Sequence, residues 1–310
     1  MAKINNHRPN NPSAYQGRDR RNGPDIESEP GVFTLLTYNV KNMFDSQDAV
    51  KEKGSGEKPV WEVNAISKVV ARSGADIMTN QEVENLGVYD QWARQNLQGA
   101  FPHTALIEGN DKRGIDVAAM SRYPIVKVVS HKENQFPLAD QSGLTRFSRD
   151  LLRVDVDVQG EIVSLYTTHS YSRRRGKAEE VHMADNQRIA EAQAIKAIVS
   201  QEMSQFPGRL YIITGDFNDE TEDPSLQALL NGPGEKLMDT LADQPRETRL
   251  TWPADSAKSG KYPPGQFDHI LIPQSMKDRL VDSQVLDYGQ ATATASDHKP
   301  IRARFRLANR

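Results

Sequence analysis

The sequence contains no cysteine among its 310 residues. Disulfide bonds and metal sites built on thiolates are therefore excluded. The ligands that remain for a metal ion are oxygen atoms and imidazole nitrogens. Such ligands favour Mg²⁺, Mn²⁺ or Ca²⁺ and, less readily, Zn²⁺.

Long apolar stretches are also lacking. No apolar run reaches the length needed to cross a membrane, and the first residues, MAKINNHRPNNPSAYQ, contain no hydrophobic signal core. No membrane span is therefore expected, and the residues alone leave the compartment open between secreted and cytoplasmic. Hydrophobic residues make up 37% and charged residues 26%, which is typical of a soluble globular protein.

There is no overall excess of positive charge, since the formal net charge is −3. This balance weakens any argument from composition for nucleic-acid binding, which a basic protein would favour through counterion release. The basic residues are nevertheless clustered along the chain. Three groups stand out: Lys3, Arg8, Arg18, Arg20 and Arg21; Arg146, Arg149 and Arg153; and Arg173, Arg174 and Arg175.

Residues 1–30 are rich in Asn, Arg, Pro and Gly and show almost no apolar periodicity, which predicts a flexible tail. No Pro/Gly/Ser linker divides the rest, so one domain is expected over residues 31–310. Helices are expected at 63–73 and 184–203, and strands at 32–40, 115–120, 125–130, 151–158, 161–168, 209–214, 267–272 and 301–306. This mixture predicts an α+β fold in which two β-sheets pack together with helices outside.

Acidic, amide and imidazole side chains occur at the ends of the predicted apolar strands. They are Asn39, Glu82, His169, Asp216, Asn218, Asp268, Asp297 and His298. Taken singly, such residues are explained by turn chemistry, because a short polar side chain caps its own backbone. Their recurrence at successive strand ends instead predicts a catalytic site, since loops at one end of a rigid scaffold carry function.

Eight segments resemble one known family and occur in that family's order. They are TYNVKNMFD, QEVEN, RGIDVAAMSRYPI, FSRDLLRV, TTHS, ITGDFND, FDHILIP and SDHKPI. They resemble the endonuclease/exonuclease/phosphatase superfamily, which includes pancreatic-type DNases, neutral sphingomyelinases and inositol-polyphosphate phosphatases. The forms NVKNMFD and RGIDVA are most similar to a bacterial branch of extracellular nucleases. The resemblance implies a four-layer α/β/β/α sandwich of two mixed sheets, and it favours secretion.

The resemblance also implies roles for the polar residues. Glu82 is expected to be the main metal-binding carboxylate, with Asn39 and Asp297 near the same ion. Mg²⁺ is the expected metal, with Mn²⁺ and Ca²⁺ as alternatives. Asp216 is expected to orient or deprotonate the attacking water, and Asn218 to hold a phosphate oxygen or the nucleophile.

The basic groups of the motifs are expected to contact the phosphate. His298 is similar to the imidazole that does so in the family, and Asp268 to the carboxylate that orients it. His169 matches a second phosphate-contacting histidine, for which we predict Asp116 as the supporting carboxylate. Arg149 resembles a phosphate-binding arginine of the DNases.

Other polar residues allow two interpretations each. Arg113 could reach a phosphate or be an ordinary solvated residue, and the same alternatives hold for 173–175. Tyr171 would either stack on a base or pack against the protein, and packing is favoured.

The leading functional prediction is a monomeric, Mg²⁺- or Mn²⁺-dependent nuclease, of the endonuclease kind, whose substrate partner is DNA. The alternative enzyme is a phosphatase or phospholipase-C-like diesterase that acts on a lipid headgroup or a small phosphate ester. Both remain open because substrate choice depends on loops rather than on the fold. A third hypothesis, a degenerate binding module, predicts the loss of a metal or base residue, and the motif residues are all present.

Overall fold

A computed structural model of the chain describes residues 3–6, 29–45, 56–253 and 262–308. The strands in this part of the chain are β1 (Lys3–Asn6), β2 (Val32–Met43), β3 (Ile77–Val83), β4 (His103–Leu106), β5 (Asp116–Ser121), β6 (Ile125–Ser130), β7 (Phe136–Pro137), β8 (Leu144–Thr145), β9 (Leu151–Val158), β10 (Glu161–His169), β11 (Tyr211–Asp216), β12 (Leu237–Asp239), β13 (Asp268–Pro273), β14 (Leu280–Val285) and β15 (Ile301–Arg306).

The α-helices are α1 (Val60–Ser73), α2 (Leu86–Gln95), α3 (Ala178–Met203), α4 (Pro224–Asn231) and α5 (Gln290–Ala295). Two short 3₁₀ helices cover Arg246–Thr248 and Gln274–Arg279. Within the described ranges, none of the helices combines the length and the apolar character that a membrane crossing requires.

The strands form two mixed sheets and one small hairpin. The seven-stranded sheet has the order β1-β4-β5-β3-β2-β15-β14, and the six-stranded sheet has the order β12-β13-β11-β10-β9-β6. Among the residues that the structure describes, strands β7 and β8 pair only with each other. Most neighbours are antiparallel, but β2 pairs with β3 and β10 pairs with β11 in parallel. These two parallel pairs bring the carboxyl ends of four strands to the same edge of the molecule.

Strand β2 shows why the fold has four layers. Phe33 and Leu35 on one face pack into the core between the two sheets, whereas Leu36, Tyr38 and Val40 on the other face pack under α1 and α2. Successive side chains of a strand point to opposite faces. A strand covered on both faces therefore needs the nearly continuous apolar run that this sequence has.

Helices α3 and α4 cover the outer face of the six-stranded sheet. Ile195 and Val199 of α3 and Leu226 of α4 lie in one buried cluster with Tyr166 of β10 and Ile213 of β11. The order of layers is therefore helix, sheet, sheet, helix. The predicted four-layer sandwich is confirmed.

Most predicted elements are confirmed to within a few residues, but α3 begins at Ala178 rather than at residue 184. Its first two turns are largely exposed, so they lack the apolar periodicity from which the helix was predicted. Glu179 and Glu180 lie in the first turn, where negative charge interacts favourably with the helix dipole. Electrostatics thus extends the helix beyond its buried part.

Four residues of the predicted tail depart from the prediction. Lys3–Asn6 form β1, antiparallel to β4 at the edge of the seven-stranded sheet. An unpaired edge strand leaves a row of backbone donors and acceptors without partners, and pairing with a distant segment satisfies them. Such non-local pairing leaves no periodicity in a short polar segment. Residues 7–28 of the predicted tail lie outside the described residues.

Gly215 allows the parallel strands β10 and β11 to approach closely beside the strand ends. Its φ is +146°, and a Cβ atom there would lie 2.0 Å from the carbonyl oxygen of Thr168. Only glycine tolerates this combination of a positive φ and backbone contact. The glycine of the ITGDFND motif is therefore required by packing rather than by chemistry.

We predict that Gly215→Ala lowers the free energy of unfolding by roughly 2–4 kcal/mol, because it adds backbone strain and overpacking at one position. Gly143→Ala is the matched control, since Gly143 has no neighbour within 4 Å of its added Cβ and no positive φ. Urea unfolding followed by circular dichroism measures both variants. Equal unfolding midpoints would contradict the packing argument.

Candidate functional site

The predicted polar residues meet where the strand ends of the two sheets converge. Asn39 and Glu82 lie near the ends of β2 and β3, and His169 and Asp216 end β10 and β11. Strand β13 runs antiparallel to β11 and begins at Asp268, directly opposite Asp216. The alternating directions of the strands therefore bring residues that are far apart in sequence to one edge.

A β-bulge determines the direction of the Glu82 side chain. The β3–β5 register shifts between Gln81 and Val83, and Glu82 has a φ of +65°. Its Oε2 accepts the backbone N–H of Asn42 at 3.0 Å, and Asn42 itself has a φ of +50°. Non-glycine residues at positive φ are strained and concentrate at functional sites. The bulge redirects this carboxylate toward the cleft.

The carboxylate of Asp216 is the centre of the site. Three nitrogens surround its Oδ2: Asn39 Nδ2 donates at 3.0 Å, His169 Nε2 lies 3.5 Å away and His298 Nε2 lies 3.7 Å away. Its Oδ1 accepts the backbone N–H of Asn218 at 2.9 Å. The side chain of Asn218 in turn donates to the carbonyl oxygen of Ser170. The structure thus brings the predicted water-activating residue together with both predicted histidines.

The predicted pair of His298 and Asp268 is present as a hydrogen bond of 2.7 Å between Nδ1 and Oδ2. Three residues that the sequence analysis did not select hold this pair in place. Ser296 Oγ accepts the backbone N–H of His298, and Thr251 Oγ1 accepts that of Asp268. Trp252 packs edge-on against the imidazole, with ring centroids 5.1 Å apart. Of these three residues, only Ser296 stands next to the motif in the sequence, directly before Asp297 and His298.

The two histidines beside Asp216 have opposite protonation tendencies. Burial opposes the charge of His298, but Asp268 and then Asp216 outweigh it and hold its pKa well above the usual value. Burial lowers the pKa of His169, and the positive charge of Arg149 lowers it further, to well below the usual value. Burial also raises the pKa of the Asp216 carboxyl, although the charge of His298 opposes that shift.

The role predicted for Asp116 is wrong in the described structure. Its Oδ1 accepts the backbone N–H of Gly109 at 2.7 Å, while Nδ1 of His169 is buried without a hydrogen-bond partner among the described residues. Burial raises the pKa of Asp116 to about 7. A Cβ atom on Gly109 would lie 2.9 Å from the backbone of Arg149. Asp116 therefore fastens a loop against the floor of the cleft rather than orienting the imidazole.

Arg149 and Arg113 share one carboxylate, that of Asp111, which the sequence analysis did not select. Arg149 Nε lies 2.8 Å from Asp111 Oδ2, and its Nη1 donates to the carbonyl oxygen of Ser170 at 2.9 Å. Arg113 Nη2 donates to the same Oδ2 at 2.9 Å. Burial would raise the pKa of Asp111, but the two guanidinium groups outweigh it and lower the pKa below the usual value.

A cleft of about 810 Å³ opens above these residues. The predicted site residues that line it are Glu82, Arg113, Arg149, His169, Asp216, Asn218 and Asp297. Three predicted residues lie behind the cleft wall: Asn39, Asp268 and His298. Asn39 and His298 are close to Asp216, which lines the cleft, and Asp268 is hydrogen-bonded to His298. Of the basic group at 146–153, only Arg149 lines the cleft, because Arg153 is bound to Asp155 and Glu202.

The donor set fits a hard divalent cation. Glu82 and Asp297 both line the cleft with carboxylates, and carboxylate oxygens are the ligands that Mg²⁺ and Ca²⁺ prefer. Asn39 turns its amide nitrogen toward Glu82 at 3.3 Å and toward Asp216, whereas its oxygen accepts the N–H of Lys41. In this arrangement Asn39 links the carboxylates and does not present the oxygen expected of a ligand.

A second group could also hold a metal ion. One ligand atom each of Asp216, Asp268 and His298 lies within 4.8 Å of the other two, and all three residues are buried. In the structure a hydrogen bond between His298 Nδ1 and Asp268 occupies part of this group. That hydrogen bond uses His298 Nδ1 and Asp268 Oδ2, whereas Glu82 and Asp297 present their carboxylates directly to the cleft.

The sequence of residues 34–243 matches the profile of the Endonuclease/Exonuclease/phosphatase family. The chain belongs to this family. As a member, it is a hydrolase that acts on phosphodiester bonds, and the family generally uses a divalent metal. A search of curated proteins gave no match. The resemblance seen in the sequence motifs is thereby confirmed.

Solved structures of the family have the same fold. A truncated TDP2 from Caenorhabditis elegans aligns with a TM-score of 0.60 at 19% identity, over 89% of this chain and 98% of that one. Sphingomyelinase C from Streptomyces griseocarneus aligns with a TM-score of 0.59 at 18% identity, over 88% and 99%. A D. rerio TDP2 complexed with single strand DNA product aligns with a TM-score of 0.58 at 17% identity, over 89% of this chain and 99% of that one.

We predict that His298→Ala and Asp268→Ala each reduce kcat by about 10²–10⁴-fold, and that the double variant loses little more. Residues that act as one unit are strongly non-additive. The double-mutant cycle is measured by the steady-state kinetics of the wild type, the two single variants and the double variant on one defined phosphodiester. His182→Ala is the control, because that histidine is exposed and outside the cleft. Losses that multiply in the double variant would show that the two side chains act independently.

Proposed function

We propose that this chain is a metal-dependent nuclease that hydrolyses DNA. The observation that carries the proposal is the charge of the cleft. Its wall contains six cationic side chains around the carboxylate and imidazole centre, although the chain as a whole has a net charge of −3. They are Lys112, Arg113, Arg149, Arg173, Arg174 and Arg175. A line of phosphates would be attracted to such a surface through the release of counterions.

The geometry suggests a division of roles at the phosphate. Asp216, whose pKa is raised by burial, would accept the proton of the attacking water. His298, held in its charged form by Asp268, would donate a hydrogen bond to a phosphate oxygen. His169, with its lowered pKa, would be a neutral hydrogen-bonding partner on the other side of Asp216.

Glu82 and Asp297 would hold the metal ion, with Asn39 linking Glu82 to Asp216. When bound, a divalent ion would neutralise the charge of the phosphate and stabilise the leaving oxygen. The protein supplies the rest. The cleft arginines would position the strand, and the buried histidines and Asp216 would order the water and the phosphate at fixed places.

A lipid diesterase is the second candidate, and one observation favours it. Val60 and Trp61 at the start of α1 are 67% and 61% exposed, and they are the only adjacent pair among the described exposed large hydrophobic residues. Exposed aromatic and aliphatic side chains of this kind can contact a membrane surface. The similar fold of sphingomyelinase C is compatible with this alternative.

We predict that the full chain cleaves DNA and releases no headgroup from sphingomyelin or phosphatidylcholine vesicles, and that EDTA abolishes the cleavage. The substrates are plasmid, linear duplex and single-stranded DNA, the two vesicles and p-nitrophenyl phosphate. Trp61→Ala separates the candidates, because a nuclease should be unaffected by it and a lipid diesterase should lose activity on vesicles. Cleavage of vesicles alone, reduced by that variant, would overturn the nuclease proposal.

The metal assignment has its own test. Glu82→Gln should lower kcat by about 100-fold or more, since losing about 3 kcal/mol of charge stabilisation slows a reaction by that factor. Mn²⁺ titration by calorimetry should show correspondingly weaker binding. Glu108→Gln, at an exposed glutamate outside the cleft, is the control. Unchanged Mn²⁺ affinity in Glu82→Gln would place the ion elsewhere.

A further inference from the structure

The three consecutive arginines after β10 do not have the same environment. Arg173 Nε donates to the carbonyl oxygen of Asn218 at 2.6 Å and lies 3.0 Å from Asp219 Oδ1, and its Nη2 contacts Asp223. Its guanidinium also lies 4.8 Å from the ring centroid of Phe267. Arg173 therefore holds the segment 170–177 against the loop that follows β11, and its donors are used within the protein.

Arg174 and Arg175 instead lie on tyrosine rings at the rim of the cleft. The guanidinium of Arg174 is 5.5 Å from the ring centroid of Tyr171, and that of Arg175 is 5.1 Å from the ring centroid of Tyr262. Both arginines are exposed and both tyrosines are half-buried, and all four line the cleft. Two pairs of cation and ring therefore line the space in which the substrate would lie.

The protein holds the side chain of Tyr262 and the backbone of Tyr171. The hydroxyl group of Tyr262 donates to the carbonyl oxygen of Arg173 at 2.5 Å, and the backbone N–H of Tyr171 donates to Glu191 Oε2 at 2.9 Å. The ring of Tyr262, held by its own hydroxyl group, therefore loses little conformational freedom when a ligand stacks on it.

A continuous series of ring contacts connects this rim to the catalytic centre. Tyr262 lies 6.3 Å from Phe267, Phe267 lies 6.2 Å from Trp252, and Trp252 lies 5.1 Å from His298, measured between ring centroids. Trp252 and Phe267 are buried, so the accessible part of this series is at the rim. The rim and the residues that pack against His298 therefore belong to the same cleft.

We infer that Tyr171, Arg174, Arg175 and Tyr262 form a subsite that stacks unpaired nucleobases next to the scissile phosphate, so that the enzyme selects single-stranded DNA. The inference rests on the proposed nuclease function and defines its substrate class. Bases stack on aromatic rings and on guanidinium planes without regard to sequence. The faces of bases in a duplex are already stacked on each other. Aromatic rings also bind the quaternary ammonium group of choline, but here two guanidinium groups lie over the rings and repel that positive charge.

Fluorescence anisotropy in EDTA, with a labelled single-stranded oligonucleotide and a matched duplex, measures binding without cleavage. Tyr171→Ala and Tyr262→Ala should each weaken binding of the single strand by about tenfold, which is within the range of one base–aromatic stack. Duplex binding should change little. Tyr171→Phe keeps the ring and is the matched control, for which binding should stay close to that of the wild type. Tyr262→Phe keeps the ring but loses the hydrogen bond to Arg173, so its affinity should fall between those of the wild type and Tyr262→Ala.

Abasic oligonucleotides distinguish stacking from a structural role of the tyrosines. Removing the bases should weaken binding by the wild type more than either single alanine substitution does, and it should have little further effect in a variant that carries both substitutions. The subsite would be overturned if the alanine variants lost equal affinity for single strand and duplex, or if abasic oligonucleotides bound as tightly as intact ones. In either case, cleavage of DNA by the wild type would still support the nuclease proposal. A wild type that cleaves only vesicles would overturn both.

Discussion

The hydrogen bond between Asn39 and Asp216 joins the two sheets at the point where the chemistry is concentrated. Asn39 belongs to the seven-stranded sheet and Asp216 to the six-stranded sheet, and their 3.0 Å contact crosses the core between them. A buried carboxylate is costly unless donors surround it. The sheets must therefore pack in the register that supplies those donors. Deeper in the core, the hydroxyl groups of Thr79 and Thr214, 2.9 Å apart, make a second polar link between the same sheets.

Charge at the centre is controlled by what lies behind each imidazole. His298 has a carboxylate at its Nδ1, whereas Nδ1 of His169 is buried without a partner among the described residues and faces the field of Arg149. Two chemically identical side chains therefore favour opposite protonation states on either side of Asp216. Separating the pKa values of neighbouring groups is the means by which active sites provide both an acid and a base at one pH. This asymmetry supports the proposed role of Asp216 as the proton acceptor.

Features that depend on residue type and strand periodicity could be predicted from the sequence. Features that depend on the direction of a side chain, or on contacts between residues far apart in the sequence, could not. Asp268 and His298 were predictable because both stand next to apolar strands in specific motifs. Asp116 was assigned wrongly because its position beside a strand does not reveal that it binds the N–H of Gly109. Asp111 was missed because its role consists of contacts to Arg149, which is distant in the sequence, and to Arg113, which is exposed. Pairing of Lys3–Asn6 with β4 is equally non-local and leaves no local pattern.

The arginines show why net charge is a poor guide to substrate for this protein. Arg153 is bound to Asp155 and Glu202 away from the cleft, whereas Arg173 lies in the cleft wall with its Nε and Nη2 bound to Asp219 and Asp223. Arg149 lies on the floor beside Asp111 with only 3% of its side chain exposed. What a polyanion meets is therefore a small set of cations in a concave, partly desolvated surface, where each charge acts more strongly than in bulk water. The position of a few guanidinium groups, rather than their number, decides the electrostatic character of the cleft.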